Sequence, residues 1–396
     1  METENVVIVM GADTPTGMTT VRALNKSPVL VVGAYENPNS VTLTSQYWHA
    51  LYEVSGTIDV QFDKLIEIYK SKFLNKKVIL LFTGDEQILG YWEFGAKLEQ
   101  YFTIPIVGHE SGKILMDKAQ FHDWAIAKGV GVPPSLTIQG KLDFAELSSF
   151  SFFPCVLKPN VRTKSWNKKF PNEKLLRFDS KHRMLDFLEY FPLFNYSPSY
   201  LLQKWVPGND SSIYFVLYAH DLDGKLLSRI GGRKRLQWPP DFGSTAVCEV
   251  CNDEALYNAG EEILKHLSLV GLNSIEFKRD PDSGTFYVTE PTVGRNDYQS
   301  GLSSFMKYNL THIVVESIFS PSNYITISDS NFRGLWIDEI SVLRHLKKNN
   351  VFFLFNFLAL LVKNRFSIGF LYFSIKDSGP FIKIFKKNLK KITRSK

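Results

Sequence analysis

The chain has 396 residues, 44% of them hydrophobic and 14% aromatic, which allows two or three cored domains and excludes a disordered chain. Three cysteines exclude a disulfide framework and point to a reducing, cytoplasmic setting. The net charge of +6 comes from residues 381–396, which hold seven Lys or Arg and no acid; the remainder balances 39 cations against 40 anions, excluding a general nucleic-acid surface.

The first element is a short buried strand, V-V-I-V-M at residues 6–10, with no basic leader or cleavage site before it, so no secretory signal is expected. G-A-D-T-P-T-G then leads into a helix carrying Met18, Val21 and Leu24 on one face. A strand at 29–32, a helix at 58–73, a strand at 78–82 and a helix at 87–101 continue the rhythm. This β-α-β-α order predicts an α/β unit over residues 1–112, an open parallel sheet with helices on both faces. The glycine loop Gly11–Gly17 has the spacing G-x5-G, so it fails the dinucleotide fingerprint and weakens a nicotinamide-oxidoreductase reading. A tight turn or an anion at the helix start remains open there.

From residue 113 the pattern changes. A helix at 117–128, strands at 153–158 and 200–206, a helix at 182–190, and strands at 213–220 and 225–230 predict an α+β domain over 113–326, split near 200. Residues 327–396 read as a helical extension with a basic tail. Its apolar stretch 351–362 spans about 18 Å as a helix, short of the roughly 30 Å core of a bilayer. Packed helices with a solvated tail, or a peripheral contact with an anionic membrane surface, both fit it. Cys248 and Cys251 form C-x-x-C without a second pair or a histidine cluster, so zinc is not expected.

The chemistry concentrates in S-I-E-F-K-R-D-P-D-S-G-T-F-Y-V-T-E-P-T. Two strands, 275–278 and 286–289, flank the turn residues Pro281–Gly284. A turn of odd length centred on Ser283 sets Glu276 opposite Glu290, with Cβ atoms about 5 Å apart. Paired carboxylates repel unless a cation or a proton intervenes. An all-oxygen, incomplete donor set suits Mg²⁺ shared with substrate phosphates; a solvated strand face balanced by Lys278 or Arg279 is the alternative. Lys158, at a buried strand's end, fits either a surface ion pair or a phosphate contact. In G-G-R-K-R, alternation sends Arg233 and Arg235 to one face, as a clamp for phosphates or an exposed strand end. Arg295 could meet a phosphoryl group or an oxyanion.

In order along residues 1–325, M-D-K-A-Q-F, F-P-C-V-L-K-P, L-L-Q-K-W-V-P-G-N-D, G-G-R-K-R-L-Q-W-P-P and E-F-K-R-D…E-P-T-V-G-R resemble the motifs of the ATP-grasp ligases. The resemblance implies a Rossmann-like pre-ATP-grasp domain, an ATP-grasp domain of two subdomains, and the helical extension. It also implies ATP and Mg²⁺. Lys118, Lys158, Gln203, Lys204, Trp205, Val206 and Asp210 would bind the nucleotide. Glu276 and Glu290 would hold the metal, and Arg233 and Arg295 would act on the transferred group. Where the superfamily usually has Asn two residues after the second glutamate, this chain has Thr292; Thr292, Asn296 or water would take that place. E-P-T-V-G-R-x-D and F-S-I-K-D-S-G-P resemble a carboligase subgroup of exopolysaccharide and cell-surface biosynthesis.

The activity so implied joins a small-molecule carboxylate to an amine through an acylphosphate, with an amino acid or an amino- or carboxyl-bearing sugar as substrate. A D-aspartate-ligase-like enzyme is one concrete form. A catalytically silent ATP-binding partner in polysaccharide assembly is the rival, because of Thr292.

Overall fold

The computed structural model describes residues 5–160, 163–171, 173, 175–240, 243–306, 309–321, 333–348, 351–364 and 367–394. The expected 326/327 boundary lies outside them. Four parallel strands, β1 (Asn5–Met10), β2 (Leu30–Tyr35), β3 (Ala50–Glu53) and β4 (Lys77–Leu81), form a sheet in the order β3-β2-β1-β4. Continuous apolar runs such as V-V-I-V suit strands covered on both faces. Val6, Ile8 and Met10 pack against Phe62 and Leu65 of helix Ile58–Lys72, and Val7 and Val9 against Val21 and Leu24 beside helix Pro15–Ala23. The helix expected over 87–101 is Asp85–Phe94 followed by a 3₁₀ turn at Gly95–Leu98.

A small antiparallel sheet follows, built from β5 (Ser135–Gln139), β6 (Cys155–Pro159), β7 (Leu176–Phe178) and β8 (Ser199–Lys204) in the order β5-β8-β6-β7. One face buries Leu157, Tyr200 and Leu202 against Leu147, Met184 and Leu188 of two helices. Each such side chain contributes about 1.5–3 kcal/mol when fully buried. Strand alternation therefore turns Lys158 and Gln203 to the opposite face.

The large sheet has β9 (Ile213–His220), β10 (Leu226–Trp238), β11 (Ser244–Val250), β12 (Gly271–Arg279), β13 (Phe286–Thr292), β14 (Leu335–Ile337) and β15 (Ile368–Phe370), ordered β13-β12-β9-β10-β11-β14-β15. Strand β10 runs eight residues past the expected end at Ile230. Gly231 and Gly232 do not break it; a Cβ at Gly231 would lie 2.3 Å from the Cys251 carbonyl oxygen, and one at Gly232 2.1 Å from the Phe215 ring. The residues there are glycines because neighbours fill the space. On one face Tyr214, Val216, Tyr218, Ile275 and Phe277 meet Leu256 and Ile263 of helix Glu254–Leu264 and Phe121 of helix Lys118–Ala127. The other buries Phe215, Leu217 and Ala219 under helix Leu310–Phe319.

The C-terminal region departs from the purely helical reading. It has helices Glu339–Lys348, Val351–Lys363 and Gly379–Arg394, but it also completes the large sheet: β14 pairs with β11 and β15 with β14. Leu335 and Ile337 join a core with Ala246 and Val247, so three-residue strands are held by packing that local composition does not announce. No helix among the described residues is long and apolar enough to cross a membrane.

Candidate active site

On the opposite face of the small sheet, Lys158 Nζ donates to Gln203 Oε1 at 2.7 Å, and Gln203 Nε2 donates to Ser135 Oγ at 2.9 Å. The glutamine thus orients the lysine from the neighbouring strand. Burial pushes the Lys158 ammonium down to about 8; Glu290 pulls it back up, Lys118 lowers it, and Glu276 raises it. These four groups therefore share one electrostatic environment. Beyond β8 the backbone is pinned, with Lys204 N donating to Pro134 O at 2.8 Å and Trp205 N to Pro154 O at 2.9 Å. The Trp205 ring has Lys278 Nζ 3.4 Å from its centroid and the Arg177 guanidinium at 5.2 Å. Val206 is buried.

Glu276 faces Glu290 across β12 and β13, but the hairpin reaches this pairing by another route than a turn centred on Ser283. Arg279 pairs with Phe286, leaving an even loop of six residues, 280–285, which alone would set Glu276 against Thr289. A bulge between Glu276 and Phe277 shifts the register by one and restores the carboxylate pair. The extra residue, Thr289, donates through Oγ1 to Glu276 O at 3.1 Å and to Glu276 Oε1 at 3.3 Å. Thr292 pairs with Ser274 and shares the carboxylates' face. Asn296 is buried, and its Nδ2 donates to Thr311 Oγ1 at 2.7 Å on helix Leu310–Phe319. Of Thr292 and Asn296, only Thr292 lies on the carboxylate face of the hairpin.

Strand β10 presents a different cation from the one expected. Glu276 aligns with Phe215, and Phe215 with Gly232, so these three share a face and Lys234 follows two residues on. Lys234 Nζ lies 2.5 Å from Glu276 Oε2 and is 5% exposed. Arg233 aligns instead with Tyr214, on the opposite face; it stacks on that ring at 5.1 Å, and its Nε donates to Ser211 O at 2.6 Å. Arg235 pairs with Glu249. The arginine expected to act on the transferred group is therefore turned away from the carboxylates. Parity was legible only through Gly232, whose lack of a Cβ admits the Phe215 ring. Asp210 accepts from Gln237 N at 2.8 Å and Gln237 Nε2 at 3.0 Å, while Lys234 Nζ reaches Gln237 Oε1 at 3.4 Å.

Lys118 opens its helix because Asp117 caps it, accepting from Ala119 N and Gln120 N at 2.9 Å each. Its Nζ lies 3.5 Å from Glu290 Oε1. Arg295 is largely buried and bound to carboxylates on two sides: Nε to Asp85 Oδ1 at 2.7 Å and Nη1 to Asp297 Oδ1 at 2.9 Å. Burial opposes its charge, but Asp297 and Asp85 outweigh it and hold its pKa above the usual range. Since Asp85 begins the helix after β4, Arg295 ties the first sheet to the hairpin, rather than presenting a free guanidinium.

The glycine loop satisfies itself. Thr14 Oγ1 accepts from Gly17 N at 3.0 Å and donates to Gly11 O at 2.7 Å, and Gly11 N and Ala12 N both donate to Ala34 O. This is a tight turn with Gly11 at φ +84°. Cys248 is fully buried in β11, and no group of three or more His, Cys, Asp or Glu that could hold a metal occurs among the described residues.

Two glutamates, Glu276 and Glu290, thus share a face with Lys118, Lys158 and Lys234 close by. Two carboxylates are too few to enclose a divalent ion, but they fit an ion whose remaining oxygens come from phosphate. The surrounding cations suit the same polyanion.

No family model matches the sequence, and no curated protein sequence is similar to it. Solved structures do resemble the fold. The ADP complex of an N5-carboxyaminoimidazole ribonucleotide synthetase aligns with a TM-score of 0.62 and 14% identity, over 87% of this chain and 85% of that one. An ADP complex of the Staphylococcus aureus N5-carboxyaminoimidazole synthetase gives 0.60 and 10%, over 83% and 81%. The L-amino acid ligase of Bacillus licheniformis gives 0.56 and 14%, over 80% and 74%. The chain has an ATP-grasp-like fold of mixed α/β content.

Proposed function

We propose that the protein is an ATP-dependent carboxylate–amine ligase. The observation that carries this reading is the convergence of Lys118, Lys158 and Lys234 on the Glu276–Glu290 pair, between two sheets in an ATP-grasp-like arrangement. Likeness to ADP-bound synthetases and to an amino acid ligase supports the same chemistry. In this reading residues 1–112 are the Rossmann-like pre-ATP-grasp domain. Residues 113–326 form the two lobes around the nucleotide, and the region after 326 closes the large sheet.

ATP would lie between the sheets, its base near the Lys204–Val206 backbone with Trp205 and Gln203 alongside, and its phosphates toward Lys158, Lys118 and Lys234. Asp210 would act through Gln237 on Lys234. Glu276 and Glu290, with Thr292 or water, would hold Mg²⁺, which when bound supplies charge neutralisation on the phosphates. A substrate carboxylate oxygen attacks the γ-phosphorus, and the bond to the ADP oxygen breaks. The amine then attacks the acyl carbon, loses a proton, and expels phosphate. The lysines orient the phosphates and offset charge in transfer. Arg295 would fix the hairpin against the first domain, and Arg233 would brace β10 against β9.

E-P-T-V-G-R-x-D and F-S-I-K-D-S-G-P favour an amino acid or an amino- or carboxyl-bearing sugar in cell-surface metabolism. The rival, a silent ATP-binding partner, draws on Thr292 and on the lysine already paired with Glu276. Incubation with ATP, Mg²⁺ and amino-acid mixtures separates them. Release of ADP and phosphate that depends on an added acceptor supports the ligase. Nucleotide binding without acceptor-dependent release would favour the silent partner.

A further inference from the structure

We propose that helix Gly379–Arg394 binds the surface of an anionic phospholipid membrane, lying in its plane. The helix is anchored at its start. Arg22 Nε pairs with Asp377 Oδ2 at 2.8 Å, and the same carboxylate accepts from Ser45 Oγ at 2.9 Å and, through Oδ1, from Gln46 N at 3.0 Å. Lys383 Nζ donates to Ser40 O at 2.9 Å, so one side of the helix rests on the first domain.

The side turned outward is apolar where a solvated helix would be polar. Ile382 is 47% exposed and Phe385 57%, and the preceding loop adds Phe373 at 40% and Ile375 at 89%. Phe373 packs edge-on against Phe381 at 5.2 Å, and Phe381 stacks towards Phe385 at 6.4 Å, so these rings form one continuous patch. In the sequence, Ile382, Phe385, Leu389 and Ile392 recur at helical spacing. Lys386 and Lys387 are exposed beside it. Lys390, Lys391 and Arg394 continue the basic run, and no acid follows the buried Asp377.

Charge selects the occupant. A second copy of this chain would bring the same basic run to the contact, and the two would repel. An anionic leaflet complements both features, taking the apolar side chains at the headgroup boundary while attracting each nearby Lys or Arg. The sixteen-residue helix is about 24 Å long and would lie flat.

The test is co-sedimentation of the full-length protein with vesicles of phosphatidylcholine alone and of phosphatidylcholine mixed with phosphatidylglycerol. Binding is expected to the mixed vesicles, to weaken at least tenfold in high salt, and to be negligible on phosphatidylcholine alone. Lys386→Gln with Lys387→Gln should lower the partition about 25-fold, at about fivefold per charge lost. Phe385→Ser with Ile382→Ser should abolish it, with the melting temperature and ATP affinity unchanged. Absence of binding to the mixed vesicles would overturn the proposal. So would equal binding to both vesicles, or concentration-dependent dimerisation abolished by the same apolar variants.

Discussion

The Lys234 ammonium stands 2.5 Å from Oε2 of Glu276, so a lysine and a divalent ion would draw on the same carboxylate. A buried cation in such a pair is costly to leave unpaired, by roughly 3–5 kcal/mol. Removing the cation instead leaves two facing glutamates with less positive charge to balance them. Lys234→Gln should therefore bind Mn²⁺ alone at least about fivefold more tightly, by electron paramagnetic resonance, while binding ATP more weakly. Unchanged affinity for both would remove Lys234 from the site.

Glu290 is the more exposed of the pair, with a side chain 58% accessible and a weak contact to Lys118 at 3.5 Å. Such a pair contributes about 0–1 kcal/mol to stability. Glu290→Gln should leave the melting temperature within about 2 °C and reduce Mg²⁺-dependent ADP release by at least about a hundredfold. Full activity in that variant would refute the metal role.

How much of this was written in the chain depends on the range of the forces involved. Lys158 and the strand ahead of it were legible because an apolar run ending in a lysine is a local pattern. The facing of Glu276 and Glu290 was expected, but for a turn of the wrong parity. A bulge at Thr289 is a one-residue event, and nothing short of the paired strand announces it. The sequence points to Arg233 where the structure has Lys234, because alternation fixes which residues share a face and leaves open which face meets the carboxylates. The cue was Gly232, understandable only once Phe215 is known to fill its place. Strands β14 and β15 leave no mark in the sequence because three residues carry no periodicity; their pairing with β11 and with each other is non-local.

Lys158 gives a proton-linked test. With its ammonium lowered to about 8 by burial, more than half the population is neutral at pH 8.5. A triphosphate against it would favour the charged form, so ATP binding should take up protons at that pH. Calorimetric titration in two buffers of different ionisation enthalpy should show uptake of about half a proton or more, falling to near zero at pH 6.5. Lys158→Met should abolish the uptake at pH 8.5; uptake that persists would place the titrating group elsewhere.

His220, at the end of β9, should set the acid limit of folding. Burial lowers its pKa from 6.5 to about 4, against smaller raising effects from Asp221 and the Gly271 backbone. The unfolded chain therefore takes its proton first as pH falls. Stability is full above about 6.5 and is lost towards 4, by up to roughly 3 kcal/mol. His220→Gln should flatten the fall in urea midpoint between pH 6.5 and 4.5. An equally steep fall in the variant would assign the acid sensitivity to other groups.

Arg295 separates a strut from a catalytic contact. Its Nε and Nη1 are bound to Asp85 and Asp297, which belong to the helix after β4 and to the segment after the hairpin. Asp297 in turn accepts from Ser274 Oγ at 2.9 Å, beside the carboxylate strand. Losing the guanidinium leaves Asp297 without its cation, at a cost of about 3 kcal/mol or more. Arg295→Met should therefore lower the urea midpoint and let the β1–β4 sheet unfold separately, seen as a second transition. A variant as stable as the parent but unable to turn over would instead place this arginine at the reacting phosphate, and the tie between the β1–β4 sheet and the hairpin region would have to be credited to other contacts, such as Ser300 with Thr19.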